Sequence, residues 1–390
     1  MGHPGGRKIG QKEYNALHDF PVVVRLGLVS MNRSERKGTK KMQIRVRFGV
    51  VLLLSLLCRV GPAASAQTGE PYKFFREYVG LSEDEIATIR KGKAVAKVVE
   101  SRSPDEIFVF GGVYINATPE SYLKLASDVD ALRKLPNYLA IRKFSDPPQL
   151  SDLDGFTFEE EDIKQLKNCK PDECEIQLPA ESMAEFQKTV NWSAPDTADQ
   201  VNHLGQKMAF EALMKYMQGG NAALGTYRDK KNPAEVAQSF ESLLSRSKAL
   251  PVYLPDLDHY LLDYPKVKLD NVESQFYWEK VKFGLKPTLR IVQAIVYRGT
   301  RSNEPTYAVA VKQLYSNHYF ETALDLTLCV RDTDKPDKAG FYLITLKGSK
   351  QAGLTGFKGG IVRKVAVDKT RSSLERALDS IKQKLESASN

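Results

Sequence analysis

The feature that most constrains the fold is a change of period near residue 275. Before it, apolar residues recur mostly at helical spacing. After it, five runs read as strands: 276–283, 289–297, 307–315, 319–330 and 340–346. The links between them are short, including Gly299-Thr300-Arg301-Ser302-Asn303 and Asp332-Thr333-Asp334-Lys335-Pro336. Short links suit an antiparallel meander. The chain then ends in a long amphipathic helix, whose stripe is Leu374, Leu378, Ile381 and Leu385. An α+β protein is expected, with an antiparallel sheet packed on its own last helix.

Upstream, residues 70–103 read as helical, with Ser82 and Glu85 forming a capping box ahead of Ile86 and Ile89. Residues 107–116 (IFVFGGVYIN) read as a strand. Thr118-Pro119-Glu120 opens a helix, with Thr118 as cap, and Tyr122, Leu125, Val129 and Leu132 continue it. Residues 144–180 are turn-rich and acidic. From 180 to 264 the pattern is helical again. Thr197 and Gln200 suggest a second capping box, and Gly219-Gly220-Asn221 marks a break. The Met208, Met214 and Met217 set reads as core filler.

Residues 42–66 (MQIRVRFGVVLLLSLLCRVGPAASA) have the form of a secretory signal. Arg45 and Arg47 start it, an apolar run spans 49–57, and Ala64-Ser65-Ala66 sets cleavage between Ala66 and Gln67. The apolar run is too short for a spanning helix, which needs roughly 20 residues. Leu57 before Cys58 argues against a lipoprotein. Residues 1–41 read as a non-native or disordered extension. The processed chain is therefore expected outside the cytoplasm, in a periplasm or beyond the cell.

Processing also changes the charge. The full chain has 57 basic and 48 acidic residues, a net of +9. Residues 1–66 carry twelve Lys/Arg and three acids, and without them 45 basic residues face 45 acidic ones. The basic excess belongs to the export segment, so nucleic acid is not an expected partner.

Cys169-Lys-Pro-Asp-Glu-Cys174 closes a short loop around a Pro-Asp turn, and an oxidising compartment favours a disulfide there. Cys329 reads as a buried thiol. No metal site and no cofactor are expected. His259 sits among Asp256, Asp258 and Asp263, which reads as a short helix with exposed acids. Phosphate loops, nucleophile elbows and His-Glu-x-x-His motifs are absent from the sequence. Asn116-Ala-Thr118 and Asn191-Trp-Ser193 match the glycosylation sequon.

The segments VFGGVYINATPESYLKLASDVDALRKLPNYLAIRKF (109–144) and GFYLITLKGS…LERALDSIKQKLE (340–386) resemble the START-like, or polyketide cyclase (SRPBCC), helix-grip superfamily. The first is similar to that superfamily's opening strand and helix, the second to its last strand and gripping helix. The resemblance implies a curved antiparallel sheet gripping the C-terminal helix, around a largely apolar cavity for a lipid or other hydrophobic small molecule. The chain departs from the family in a helical insertion, 145–270, within a domain of 107–390 that follows a helical segment, 67–106.

In a helix-grip reading the cavity candidates are polar residues on strands: Glu279, Arg290, His318, Glu321 and Asp325. In 318–330, Phe320, Leu324, Leu326 and Leu328 share the core side with His318 and Thr322. The other side, with Tyr319, Glu321, Ala323, Asp325, Thr327 and Cys329, reads as solvated, the alternative being a polar cavity wall. Glu279, Arg290 and Lys312 interrupt apolar strands, and any two that meet inside must pair. The leading expectation is an exported carrier of a hydrophobic small molecule or lipid, with contact to the envelope membrane. A non-catalytic envelope interaction protein and a cyclase- or hydrolase-type enzyme are the alternatives.

Overall fold

The computed structural model describes residues 71–388, apart from 102, 135–136, 246, 248–249, 283–285, 302–303, 333–339, 352 and 355. The expected signal segment, Cys58 and the expected cleavage site between Ala66 and Gln67 lie outside the described residues.

The chain starts with α1 (Tyr72–Phe74), a π-turn over Phe75–Val79, and α2 (Glu83–Arg90). The capping box of α2 forms as expected: the Ser82 side chain accepts from the Glu85 amide, and the Glu85 carboxylate accepts from the Ser82 amide. The helical expectation for 70–103 then fails, because Val95–Val99 is a strand, β1. Val95, Val98 and Val99 fit either spacing locally, and pairing along the edge of β2 (Glu106–Ile115) decides between them.

The helix after Thr118 is also two helices, α3 (Pro119–Ala126) and α4 (Val129–Arg133). Asp128 breaks the run, because its carboxylate accepts from the Ala131 amide and caps a new helix. Thr118 precedes α3 without a side-chain capping bond. β3 (Tyr138–Lys143) follows. Residues 144–271 then carry α5 (Glu160–Leu166), α6 (Ala180–Thr189), α7 (Thr197–Gly219), the ribbon β4 (Thr226–Tyr227) and β5 (Ala234–Glu235), α8 (Val236–Ser245), α9 (Leu250–Tyr253) and α10 (Pro255–Asp263). The Thr197 box does not form. Asp196 is the cap residue, and Gln200 spans Asn191 and Asp196 instead.

The five expected strands are present, and all but the fourth are longer than their apolar runs: β6 (Val272–Lys282), β7 (Pro287–Arg301), β8 (Glu304–Ser316), β9 (Phe320–Arg331) and β10 (Phe341–Gln351). α11 (Gly356–Ala388) ends the chain. The sheet has eight strands in the order β1-β2-β10-β9-β8-β7-β6-β3, and every pairing is antiparallel. Neighbouring β3 and β6 are thus separated in sequence by all of 144–271.

Strand alternation divides the sheet into two faces. One carries Phe110, Ile295, Ala310, Leu326 and Ile344, and packs against α2, α8 and α10. Towards β6 the same side continues through Phe276, Trp278 and Ile291 against residues of α6 and α7. The other face carries Val109, Val113, Val309, Cys329 and Leu343, and packs against α3 and α11. The expectation that the Ala323–Thr327–Cys329 side is solvated is therefore corrected. All three residues are buried, because α3 and α11 cover that face.

α11 sits close to the sheet because β2 has a glycine beneath it. A Cβ on Gly111 would lie 2.7 Å from Leu374 and 2.8 Å from Leu378. Among the described residues, no helix is long and apolar enough to cross a membrane.

Candidate functional site

Glu279 on β6 and Arg290 on β7 are direct cross-strand partners on the face that α3 and α11 cover. Arg290 Nη1 lies 3.4 Å from Glu279 Oε1, and both side chains are less than a tenth exposed. This is the interior pairing the strand pattern requires if two of the three strand charges meet. A cavity of about 60 Å³ adjoins the pair, between α3–α4 and strands β3, β6, β7 and β8. Its wall includes Leu132, Tyr138, Tyr277, Glu279, Val292 and Val311.

Burial raises the Glu279 pKa above the ordinary carboxylate value; Arg290 opposes the shift, and the charge of Asp325 adds to it. Burial likewise raises the Tyr138 hydroxyl, with Glu279 contributing. The Arg290 guanidinium also lies 5.9 Å from the centre of the Phe320 ring. Asp325 points to the same face but forms its own ion pair with Lys347, its register partner on β10. The site therefore joins Glu279 with Arg290 directly, and brings Asp325 and Lys347 into electrostatic range.

His318 is placed elsewhere. It lies in the β8–β9 turn, where its Nε2 is 3.0 and 3.1 Å from the two Asp162 oxygens of α5. Asn317 Nδ2 donates to the same carboxylate at 3.1 Å, and its carbonyl accepts from the Gln177 amide. Both members of the His318–Asp162 pair are buried. The arrangement ties the strand turn to the 144–271 segment. Glu321 pairs with Lys350 at 3.2 Å, at the far ends of β9 and β10.

Lys312 occupies the opposite face from Glu279, and its side chain is fully buried. Its Nζ donates to the Tyr216 hydroxyl at 3.0 Å and to Asn221 Oδ1, and it lies 4.0 Å from the Phe240 ring centre. Tyr216 in turn donates to Gln293 Oε1 at 2.6 Å, and Gln293 donates to Ser274. Asn221 anchors the other end by donating to the carbonyls of Leu261 and Leu262. Burial lowers the Lys312 pKa to about 7. A neutral amine still donates hydrogen bonds, so this network holds the helices to the sheet without a counter-charge.

Cys169 and Cys174 form the expected disulfide, and Cys329 is a buried thiol. Amides of the disulfide loop donate to the carbonyls of Arg228 and Asp229. His259 pairs with Asp263 on an exposed side of α10.

Sequence reading missed Tyr138, Lys347, Tyr216, Asn221 and Asp162. Asp162 sits in the run Glu159-Glu160-Glu161-Asp162, where nothing local marks one acid of four as buried. Asn221 was visible only as part of a Gly-Gly-Asn break. Compared with known proteins, the chain matches no family model and no curated protein.

Proposed function

We propose that the chain is an exported, non-catalytic binding protein with a START-like helix-grip fold. Its ligand is a hydrophobic or amphipathic small molecule held between α3–α4 and the sheet. The observation that carries this reading is the buried Glu279–Arg290 pair beside the cavity. A buried ion pair is rarely the most stabilising choice for a strand face. Set beside Val292, Ala294 and Val311, it gives an apolar-walled space one polar end. The strand order and the placement of α3 and α11 on one face support the helix-grip reading.

The size of the cavity bears on the ligand. About 60 Å³ takes a few water molecules, whereas ligand pockets typically span roughly 300–1,000 Å³. A lipid therefore enters only if α3–α4 lifts from the sheet. The enzyme reading has less support, since Glu279, Asp325 and His318 already face Arg290, Lys347 and Asp162. For an interaction surface on 180–264, the exposed large apolar side chains among the described residues are Val252 and Leu262 alone.

Native mass spectrometry of protein purified from its own host tests the proposal. The expected result is a bound amphiphile, lost when Ala294→Phe fills the cavity while the fold is retained. A ligand-free mass that stays unchanged after incubation with medium-chain fatty acids and alcohols rules the proposal out.

A further inference from the structure

α11 is one helix with two different halves. From residue 374 on, Leu374, Leu378 and Leu385 are buried, and three basic residues balance three acidic ones. From 356 to 373 the sequence holds five basic residues (Lys358, Arg363, Lys364, Lys369, Arg371) and one acid, Asp368. This half also displays Ile361, Val362 and Val365, which are 58 %, 55 % and 49 % exposed. They are three of the seven large apolar side chains exposed among the described residues.

At 100° per residue, these three fall on one side of the helix, opposite the seam of Val367, Leu374 and Leu378. Lys369 shares their side, and Lys364 flanks it. All of these lysines are exposed. Arg363 has a different task. It donates to the Pro104 and Glu106 carbonyls and to Ser101, which holds this half of the helix against the β1–β2 connection. The ridge is thus carried on a fixed support and faces away from the sheet.

We propose that the N-terminal half of α11 lies flat on an anionic lipid bilayer. The three aliphatic side chains enter the headgroup boundary, and Lys364 and Lys369 meet lipid phosphates. Charge selects this occupant. Beyond residue 66 the chain is electrically balanced, so a local excess of four positive charges stands out against it. A second copy is a poor fit, because a two-fold contact would set one basic ridge against another. This inference does not depend on the cavity reading.

Co-sedimentation of the full chain with vesicles tests it, using 30 % phosphatidylglycerol in phosphatidylcholine against pure phosphatidylcholine. Two variants are compared with the natural protein, Ile361→Ser/Val365→Ser and Lys364→Gln/Lys369→Gln. All three share one N-terminus, so a difference in binding between them is assigned to α11. Binding is expected on the anionic vesicles alone and to weaken with salt. Each double variant should bind about tenfold more weakly or worse, with an unchanged melting temperature. Natural protein that ignores anionic vesicles, or either variant binding them equally well, overturns the proposal. So does a concentration-dependent dimer that Ile361→Ser/Val365→Ser abolishes, because the ridge then belongs to a second copy.

Discussion

The Lys312 ammonium position lies 4.0 Å from the centre of the Phe240 ring, so a strand lysine and an α8 phenylalanine meet inside the protein. Tyr216 and Asn221 complete the shell of the lysine, and none of the three is a carboxylate. The charge of this lysine is therefore opposed by burial and only partly relieved by ring faces and dipoles.

That environment makes stability depend on pH. Lys312 falls from 10.5 to about 7 on folding. Between those values the unfolded chain binds the proton and the folded chain does not, so stability rises with pH there. As pH falls towards 7 that contribution is lost, and below 7 it changes no further. Over the middle of the window the slope is about 1.4 kcal/mol per pH unit. Urea unfolding of the natural protein and Lys312→Met at pH 7, 8 and 9 measures it. Lys312→Met should be the more stable of the two at pH 7, and that advantage should shrink by roughly 2–3 kcal/mol by pH 9. Parallel pH profiles for the two proteins would mean that Lys312 does not titrate as described.

Arg290→Met leaves the Glu279 carboxyl buried beside an apolar cavity. A loss of about 3–5 kcal/mol is expected at neutral pH. The double variant Glu279→Gln/Arg290→Met should recover part of that loss. A double-mutant cycle by chemical denaturation reads the coupling directly. If the two single losses simply add, the pair contributes no coupling.

Gly220 ends α7 at φ +61°, and a Cβ there would fall 1.7 Å from the Tyr264 carbonyl oxygen. The backbone must shift to accept even alanine, and Asn221 moves with it. Gly220→Ala is expected to lower stability by about 2 kcal/mol or more. It should also reduce the pH slope assigned to Lys312, a joint effect that thermal scans at pH 7 and 9 can check.

The Cys169–Cys174 bridge closes a small loop, so its removal from the unfolded chain's constraints is modest, about 2 kcal/mol. Cys169→Ser/Cys174→Ser should shift the denaturant midpoint by that amount and leave the midpoint insensitive to reductant. A natural protein whose midpoint ignores reductant would contradict the bridge.

Much of the fold was legible locally. The five strands after 275 and the last helix were visible because each has a long, consistent apolar period. β1 and the α3–α4 break were not visible. Val95–Val99 is short and fits two periods, and Asp128 looks like any solvated polar residue until it caps. Among the cavity candidates, Glu279 and Arg290 could be named because charge interrupts an apolar strand. His318 was named from strand alternation, as a polar residue on the core side of 318–330, yet it pairs with Asp162 from a distant helix, which alternation cannot show.

The sequence by itself determined the local periods, the α2 capping box, the short cysteine loop and the electrical balance of residues 67–390. These depend on neighbours a few residues apart, whose geometry the backbone sets. Tertiary structure alone decided which face each strand charge enters, what meets it there, and that β3 pairs with β6 across the whole of 144–271. Such contacts join residues far apart in the chain, and one strand's alternation says only that two sides exist. The pairing of β6 with β7 gave Glu279 an arginine, and the packing of α8 on the opposite face gave Lys312 an aromatic ring.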